Sequence, residues 1–311
     1  MITSNLYTAE QVREIDTIAI NEHGIAGFEL MQKAARFAFH ILVKQWPTCN
    51  NIQIFCGSGN NAGDGYIIAE IAQKRGFKVT VHCVASPKKL KGDALLAYHS
   101  CLKSNVRCQI FSSDHFKFLP SDESFIIIDA MLGTGLNSEV KGAFKQAITL
   151  CNKSLAPILA MDIPSGLSAD TGRALGLAIK ASCTTTFIGL KQGLYTGAGR
   201  HYSGQIFFDD LEIPNDISNK VSINCEKLNL TTTLNFIKPR ELNTHKGQNG
   251  HVLLIGGDHG LGGAIIMAAQ AAARMGAGLV SVATQKEHIN AILTRQPEVM
   301  AHTISHSNQL P

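Results

Sequence analysis

The side chains best suited to chemistry lie in one glycine-rich stretch, IQIFCGSGNNAGDGY at residues 52–66. It places Asn60, Asn61 and Asp64 among glycines, after an apolar run typical of a strand and before a periodic segment that predicts a helix from Ile67. Glycines allow positive φ and a close approach of the backbone to a ligand, and a helix N-terminus suits a phosphate. The carboxylate and amide oxygens allow the loop to bind more than a phosphate.

Two further turns have the same arrangement. The run IIIDAMLGTGL at residues 126–136 delivers Asp129 to a glycine loop, and a strand predicted over residues 157–161 delivers Asp162 just before IPSG. In an open parallel sheet, ligands bind outside the carboxyl ends of the strands, near the point where the strand order reverses. We therefore expect the three turns to meet at one site. A strand-end aspartate also often caps a helix, so each one alone leaves a structural role open.

Helical and strand patterns alternate through the first two thirds of the chain. Thr8, Ala9, Glu10 and Gln11 form a capping box that opens a helix over about residues 8–22. The other predicted elements are a helix that ends before Pro47, helices over 67–74 and 93–102, and strands over 78–84, 125–128, 157–161, 184–188 and 205–208. The alternation predicts an α/β fold with a doubly wound, mostly parallel sheet between two helical layers. The first two helices are expected only to cover the sheet.

Composition excludes several classes of protein. The 311 residues are 45% hydrophobic and 17% charged, as in globular proteins, and the formal charge of +4 is spread without a long basic run, which argues against nucleic acid as a partner. No apolar run reaches the roughly 18 residues of a membrane span. Eight scattered cysteines without a CxxC pair or a secretory leader predict free thiols in a cytoplasmic protein.

A second region begins after a polar, Asn- and Thr-rich stretch at residues 209–239. The apolar pattern then restarts, with strands predicted over 251–257 and 279–283 and a helix over 262–275. We predict domains at residues 1–230 and 231–311.

Four motifs, in order, make residues 1–230 resemble the NAD(P)H-hydrate epimerases. They are GSGNNAGDG at 57–65, IDAMLGTGL at 128–136, MDIPSGLSADTG at 161–172 and KQGLYTGAGRHYSG at 191–204. The resemblance implies a Rossmann-like domain that binds hydrated NADH or NADPH and interconverts its R and S forms, an isomerase of nicotinamide nucleotide repair. Ala62 stands where the family usually has a glycine; because alanine disfavours positive φ, we expect a slightly altered loop.

The resemblance also implies the site residues. The substrate contacts would be Asn60, Asn61, Ala62, Gly63, Asp64, Gly133, Thr134, Gly135, Leu136, Asn137, Ser138, Glu139 and Asp162. A potassium ion would be bound by Asn61, Asp129 and Ser165, whose oxygens suit such a hard cation. Asn61 and Ser165 could equally satisfy backbone groups of their turns. The family also suggests a homodimer, with a small-molecule substrate and no nucleic-acid or membrane partner.

The chemistry implied for Asp162 follows from the substrate. The hydrated ring carries a hydroxyl on the carbon next to the ring nitrogen, so it can lose hydroxide with help from the nitrogen or open to an aldehyde, and then reclose on the other face. One group must give and retake a proton, and we hypothesise that Asp162 does so as the acid/base residue. Partial burial raises the pKa of such a carboxyl, whereas a nearby cation lowers it.

The second region, residues 246–283, resembles the opening of the ribokinase-like, ADP- or ATP-dependent dehydratase that follows the epimerase in bifunctional family members. The part after Pro239 is much shorter than such a domain, so we expect a truncated dehydratase segment without dehydratase activity. Its apolar faces are expected to be exposed.

Two other classes of function fit parts of the sequence. An NAD-dependent oxidoreductase is disfavoured because GSGNNAGDG lacks the GxGxxG spacing and no acidic residue ends the next strand, VTVHCVAS. A non-catalytic dinucleotide-binding or scaffold module remains the alternative, since folds can lose chemistry and keep binding. The presence of Asn61, Asp129 and Asp162 argues against it.

Overall fold

A computed structural model describes residues 4–113, 125–236 and 239–305 of the chain. The chain divides into two compact units, Met1–Asn229 and Leu230–Pro311. The functions of the two predicted domains remain predictions.

The first unit contains the predicted alternation of strands and helices. In chain order its elements are β1 (Asn5–Tyr7), α1 (Ala9–Asn21), α2 (Gly27–Gln45), β2 (Asn51–Cys56), α3 (Asn60–Lys74), β3 (Lys78–Cys83), α4 (Gly92–Lys103), β4 (Arg107–Ile110), β5 (Ile126–Ala130), α5 (Gly142–Lys153), β6 (Ile158–Met161), β7 (Cys183–Phe187), β8 (Leu190–Lys191), α6 (Gly199–Ser203), β9 (Gln205–Asp209), α7 (Asn215–Ser218) and β10 (Cys225–Glu226).

The main sheet has seven strands in the order β4-β3-β2-β5-β6-β7-β9, and every neighbouring pair is parallel. This confirms the predicted α/β fold class. The chain builds the sheet outward from β2 to β4, then returns to add β5 on the other side of β2, so the strand order reverses between β2 and β5. The carboxyl ends of β2, β5 and β6 therefore lie side by side at that switch point, where open α/β sheets bind ligands.

Helices cover both faces of this sheet. Ile126 and Ile128 of β5 belong to the core cluster formed with α2, α3 and α4, whereas Ile127 belongs to the cluster formed with α5. Successive side chains of a strand point to opposite faces, so an unbroken apolar run such as III serves both layers at once. Because β5 and β6 are buried along their whole length, their ends are held firmly.

Helix α1 begins as its sequence predicts. The Thr8 hydroxyl accepts a hydrogen bond from the Gln11 N–H (3.2 Å), and the Gln11 side chain accepts one from the Thr8 N–H (2.8 Å). Val12, Ile15 and Ala19 are buried against the core. The capping box thus fixes the start of the helix, and the apolar stripe fixes its rotation about its own axis.

Helix α3 begins at Asn60, seven residues earlier than predicted. The segment 60–64 is therefore the first turn of a helix and not a loop. Ala62 is fully buried in that turn and has no positive φ, so the expectation that alanine alters the backbone there is wrong. An alanine is a good helix former at such a position.

The glycines of this stretch do not supply the predicted positive φ, and two of them allow close packing of the backbone instead. Gly57, Gly59, Gly63 and Gly65 all lack a positive φ. A Cβ added at Gly57 would lie 1.9 Å from the Met131 carbonyl oxygen, and one at Gly65 would lie 2.6 Å from the Ala130 Cβ. Their small size therefore lets the turn and α3 approach β5 closely, which draws the ends of β2 and β5 together.

The second unit is a small parallel sheet with two longer helices. Its elements are α8 (Leu230–Leu234), β11 (His251–Ile255), α9 (Gly262–Arg274), β12 (Leu279–Thr284), α10 (Ile289–Arg295) and β13 (Met300–Thr303), and the strand order is β11-β12-β13. Several apolar side chains of this unit are exposed, as expected: Val252, Leu253, Ile255, Leu261, Met267, Met275 and Leu293. Among the described residues, no helix combines the length and apolar character needed to cross a bilayer.

Candidate active site

A cavity of about 630 Å³ opens at the carboxyl ends of β2, β5 and β6. The predicted site residues that line it are Asn60, Asn61, Asp64, Gly133, Thr134, Gly135, Leu136, Asn137, Ser138 and Asp162. Ala62, Gly63, Glu139, Asp129 and Ser165 do not line it. The volume is in the range of small-molecule sites. All three polar turns thus contribute to one cavity or to the layer directly behind its wall.

The N-terminus of α3 opens onto this cavity. Gly59, Asn60 and Asn61 line it, and Gly59 is the N-cap of the helix, which therefore has no side-chain cap. The first N–H groups of a helix and its dipole attract an anion, so this part of the wall suits a phosphate.

Asp129, at the end of β5, is fully buried and is held on both oxygens. It accepts hydrogen bonds from the Ser165 hydroxyl (2.6 Å), the Ser165 N–H (2.8 Å) and the Met131 N–H (3.3 Å). The Ser165 hydroxyl in turn accepts from the Leu132 N–H at 2.8 Å. Burial raises the pKa of Asp129 to about 6, and the bonds from Ser165 and Met131 work against that rise. These bonds tie the turn after β6 to the loop after β5.

Asn61 is a buried amide without a partner. Its side-chain oxygen and nitrogen have no hydrogen-bond partner within the part of the chain that the structure describes, although Asn61 is only 8% exposed. It packs against the loop after β5, because a Cβ at Gly133 would lie 3.4 Å from the Asn61 Cβ. An unsatisfied buried amide costs about 1–3 kcal/mol, so the arrangement is suited to a polar ligand or an ion that would supply the missing contact.

Asp162 directly follows β6 and has an unusual backbone. Its φ is +64°, which is rare for a residue with a side chain, and its N–H donates to the Thr185 carbonyl at 2.7 Å. The carboxylate accepts a charge-assisted hydrogen bond from Lys191 and a long one from the Thr186 hydroxyl (3.4 Å). Lys191 is 1% exposed and also donates to the Phe187 carbonyl at 2.8 Å. The backbone and the buried lysine together aim this carboxylate into the cavity.

Comparisons with known proteins agree with the geometry. Residues 27–193 match the family model described as YjeF-related protein N-terminus, and residues 252–310 match that of NAD(P)H-hydrate dehydratase. The chain is 31% identical over 256 residues to the NAD(P)H-hydrate epimerase of Legionella pneumophila, a match that covers 80% of this chain and 93% of the relative. The chain belongs to the NAD(P)H-hydrate epimerase family.

Longer members of the family match both units. The chain is 39% identical over 310 residues to the bifunctional NAD(P)H-hydrate repair enzyme Nnr of Coxiella burnetii and 38% identical over 304 residues to that of Escherichia coli, covering 98% of this chain in each case. It spans 61% and 58% of the length of these two relatives. A crystal structure of the yeast protein ynu0 has a similar fold, with a TM-score of 0.61 at 19% identity over 72% of this chain and 95% of that chain.

In this member of the NAD(P)H-hydrate epimerase family, two more carboxyls line the cavity near Asp162. Burial raises the pKa of Asp64 well above its usual value, and the charges of Asp162 and Asp16 raise it further. Burial also raises the pKa of Asp16, to about 6, while the charge of Lys191 lowers it and that of Asp162 raises it. Three carboxyls thus lie around one lysine; burial is the main cause of the raised pKa values of Asp16 and Asp64, and repulsion by neighbouring carboxylates adds to it.

Two of these residues are not predicted by the sequence as site residues. Asp16 lies within α1 directly after Ile15, beside the apolar stripe that packs on the core. Lys191 is the last residue of β8, which pairs with β1 in a small sheet separate from the main one. In the sequence, each is a charged residue next to apolar residues. That pattern can identify a candidate site residue, but it does not show which side chain the residue contacts.

Proposed function

We propose that this chain interconverts the R and S forms of hydrated NADH and NADPH. The observation that carries the proposal is the convergence of an anion-binding helix N-terminus, an unpartnered buried amide and a lysine-paired carboxylate on one cavity. The relatives are an NAD(P)H-hydrate epimerase and bifunctional NAD(P)H-hydrate repair enzymes, which supports the same reaction and does not favour a non-catalytic module.

The parts of the cavity match the parts of the substrate. A hydrated dinucleotide carries a diphosphate, for which the N-terminus of α3 supplies N–H groups. It also carries a ring with a reacting hydroxyl, for which Asp162 is positioned as the acid/base residue. Leu30, Met31 and Phe187 supply an apolar wall for flat rings. We propose that residues 60–64 and 133–139 provide the substrate contacts.

The residues proposed for potassium fit that ion chemically. Asn61 offers a buried amide oxygen without a partner, and Asp129 and Ser165 offer a carboxylate and a hydroxyl. When bound there, the cation would supply fixed positive charge that favours the ionised form of Asp129 and attracts ligand oxygens. A thermal unfolding midpoint that rises with KCl but not with choline chloride at equal ionic strength would support this assignment, because a ligand of the folded state stabilises it.

The test of the function uses the purified full chain. It is incubated with one epimer of hydrated NADH, and the other epimer is followed by chromatography against a protein-free sample. We expect both starting epimers to reach the same final ratio, faster than without protein. Binding of the hydrate without any acceleration would support the scaffold alternative, and oxidation of the nicotinamide would support the oxidoreductase.

A further inference from the structure

The cavity contains a carboxyl that the proposed reaction has not yet used. Asp16 comes from α1, an element separate from the strand ends that carry Asp129 and Asp162, and it lines the same cavity. The charged residues that line the cavity with it are Arg13 on α1, Asp64 on α3, Asp93 on α4, Asp162 after β6 and Lys191 on β8.

Epimerisation makes a demand that one carboxyl meets poorly. The hydroxyl leaves one face of the ring, and water must return to the opposite face. A single side chain fixed by a buried lysine, as Asp162 is, reaches one face of a bound ring. Two groups on different elements can serve the two faces without moving the substrate.

We propose that Asp16 is the second proton-transfer residue of the cavity and works with Asp162 on opposite faces of the hydrated ring. This inference rests on the proposed epimerase function. It assigns a catalytic role to a helix whose sequence otherwise indicates only a cover for the sheet.

The steps balance without any oxidant or further reactant. One carboxyl, in its acid form, gives its proton to the ring hydroxyl; the carbon–oxygen bond breaks, the ring nitrogen lone pair forms a carbon–nitrogen double bond, and water leaves. Water then attacks the same carbon from the other face, a new carbon–oxygen bond forms, and the second carboxylate takes the released proton. One proton has moved from one carboxyl to the other, so the pair is ready for the reverse direction, or for the same direction after exchange with solvent.

The surroundings of the two carboxyls differ. Asp162 pairs directly with the buried Lys191. Burial raises the pKa of Asp16 to about 6, and the neighbouring Asp162 charge contributes to that rise. A carboxyl with a raised pKa on α1 and a lysine-paired carboxyl after β6, both lining one cavity, provide the two different environments that the two steps require.

The deciding experiment compares Asp16→Asn with wild type and with Glu14→Gln, an exposed acid on the same helix outside the cavity. We expect Asp16→Asn to lower kcat by about 100-fold or more in both directions, with KM changed only a few-fold and the final epimer ratio unchanged. The pH–rate limb that belongs to Asp16 should be missing, Asp16→Glu should recover part of the rate, and Glu14→Gln should match wild type.

Other outcomes separate the two ideas. A wild-type chain that interconverts the epimers, together with an Asp16→Asn variant of unchanged kcat and pH profile, would overturn the role of Asp16 and leave the epimerase function standing. A wild-type chain that does not interconvert them would remove the proposed function and this inference with it. If Asp16→Asn fails to fold, the pH limb of Asp16→Glu decides, since an unmoved limb would contradict the proposal.

Discussion

Asp129 and Asp162 lie at the carboxyl ends of neighbouring strands of one sheet, yet the two carboxylates have opposite surroundings. Asp129 is fully buried, and its oxygens accept three hydrogen bonds from Ser165 and Met131. Asp162 keeps 18% of its side chain exposed, has a positive φ and pairs with the buried Lys191. Position at a strand end brings both to the switch point, but the partners of each decide its chemistry.

The difference shows how such a site divides stability from reactivity. A carboxylate that accepts several N–H and O–H bonds is a fixed part of the structure, suited to joining two loops or binding a cation. A carboxylate at the cavity surface with one ionic partner can exchange a proton with a ligand. We therefore expect substitutions at Asp162 to change the reaction and substitutions at Asp129 to change stability first.

The largest effect is expected for Asp162→Asn. Loss of a proton-transfer residue should lower kcat by roughly 10³-fold. The amide is the same size, but it leaves the charge of the buried Lys191 without its ionic partner, so the thermal midpoint should also fall, and turnover is compared at a temperature at which the variant is folded. Epimer interconversion followed by chromatography, with circular dichroism on the same samples, provides the measurement. Asp209→Asn is the matched control: Asp209 also ends a strand, but its side chain accepts a hydrogen bond from the Leu211 N–H of its own turn, so the variant should keep full activity. Near-normal turnover in Asp162→Asn would contradict the role of Asp162 in the reaction.

The next effect is expected for Asp129→Asn, and it concerns stability. An amide N–H₂ group would face donors at Ser165, so we expect a loss of about 2–3 kcal/mol of unfolding free energy. Urea denaturation measures it. Asp210→Asn is the control, because exposed Asp210 accepts one bond from the Glu212 N–H and should cost less than about 1 kcal/mol. Equal losses in the two variants would mean that the buried hydrogen bonds of Asp129 stabilise the fold no more than the exposed one of Asp210.

The sequence predicts the different surroundings of Asp129 and Asp162 only in part. The strand ends and the motifs place Asp129 and Asp162 correctly, because apolar runs and their polar ends are local patterns. The start of α3 at Asn60 is not predicted because Gly63 and Gly65 have low helix propensity. In the structure, packing of these glycines against α2 and β5 outweighs that propensity. The Lys191 contact joins residues 29 positions apart, and the position of Asp16 depends on how α1 rotates over the sheet. Neither is encoded in any single segment.

A smaller effect is expected from the pH dependence of stability in Asp16→Asn. The pKa of Asp16 is raised from 3.8 to about 6, so the folded chain binds more protons than the unfolded one between these values. Wild-type stability from this group therefore falls as pH rises from about 4 to 6, and the Asn variant escapes that loss. Partial exposure reduces the gain to about 1–2 kcal/mol above pH 6.

Denaturation of Asp16→Asn and wild type at pH 4, 5, 6 and 7 would measure this difference, with Glu14→Gln, an exposed acid of the same helix, as the control. A gain in stability with a loss of activity would mark Asp16 as a functional residue rather than a packing residue, because native sites often retain destabilising groups for chemistry. A variant that is less stable than wild type at every pH would instead indicate that Asp16 holds α1 in place.

The smallest effect is expected for Ala62→Gly, which tests the wall beside Asn61. If residues 60–64 are the first turn of α3, glycine there removes a buried methyl group and loosens the backbone, and should cost about 0.5–1 kcal/mol. Ala69→Gly, fully buried in the middle of the same helix, should cost at least as much. Thermal denaturation ranks the two. A gain in stability in Ala62→Gly would mean that residue 62 has a positive φ and that residues 60–64 are not a helical turn. Asn61 would then not pack against Gly133 as it does in the structure.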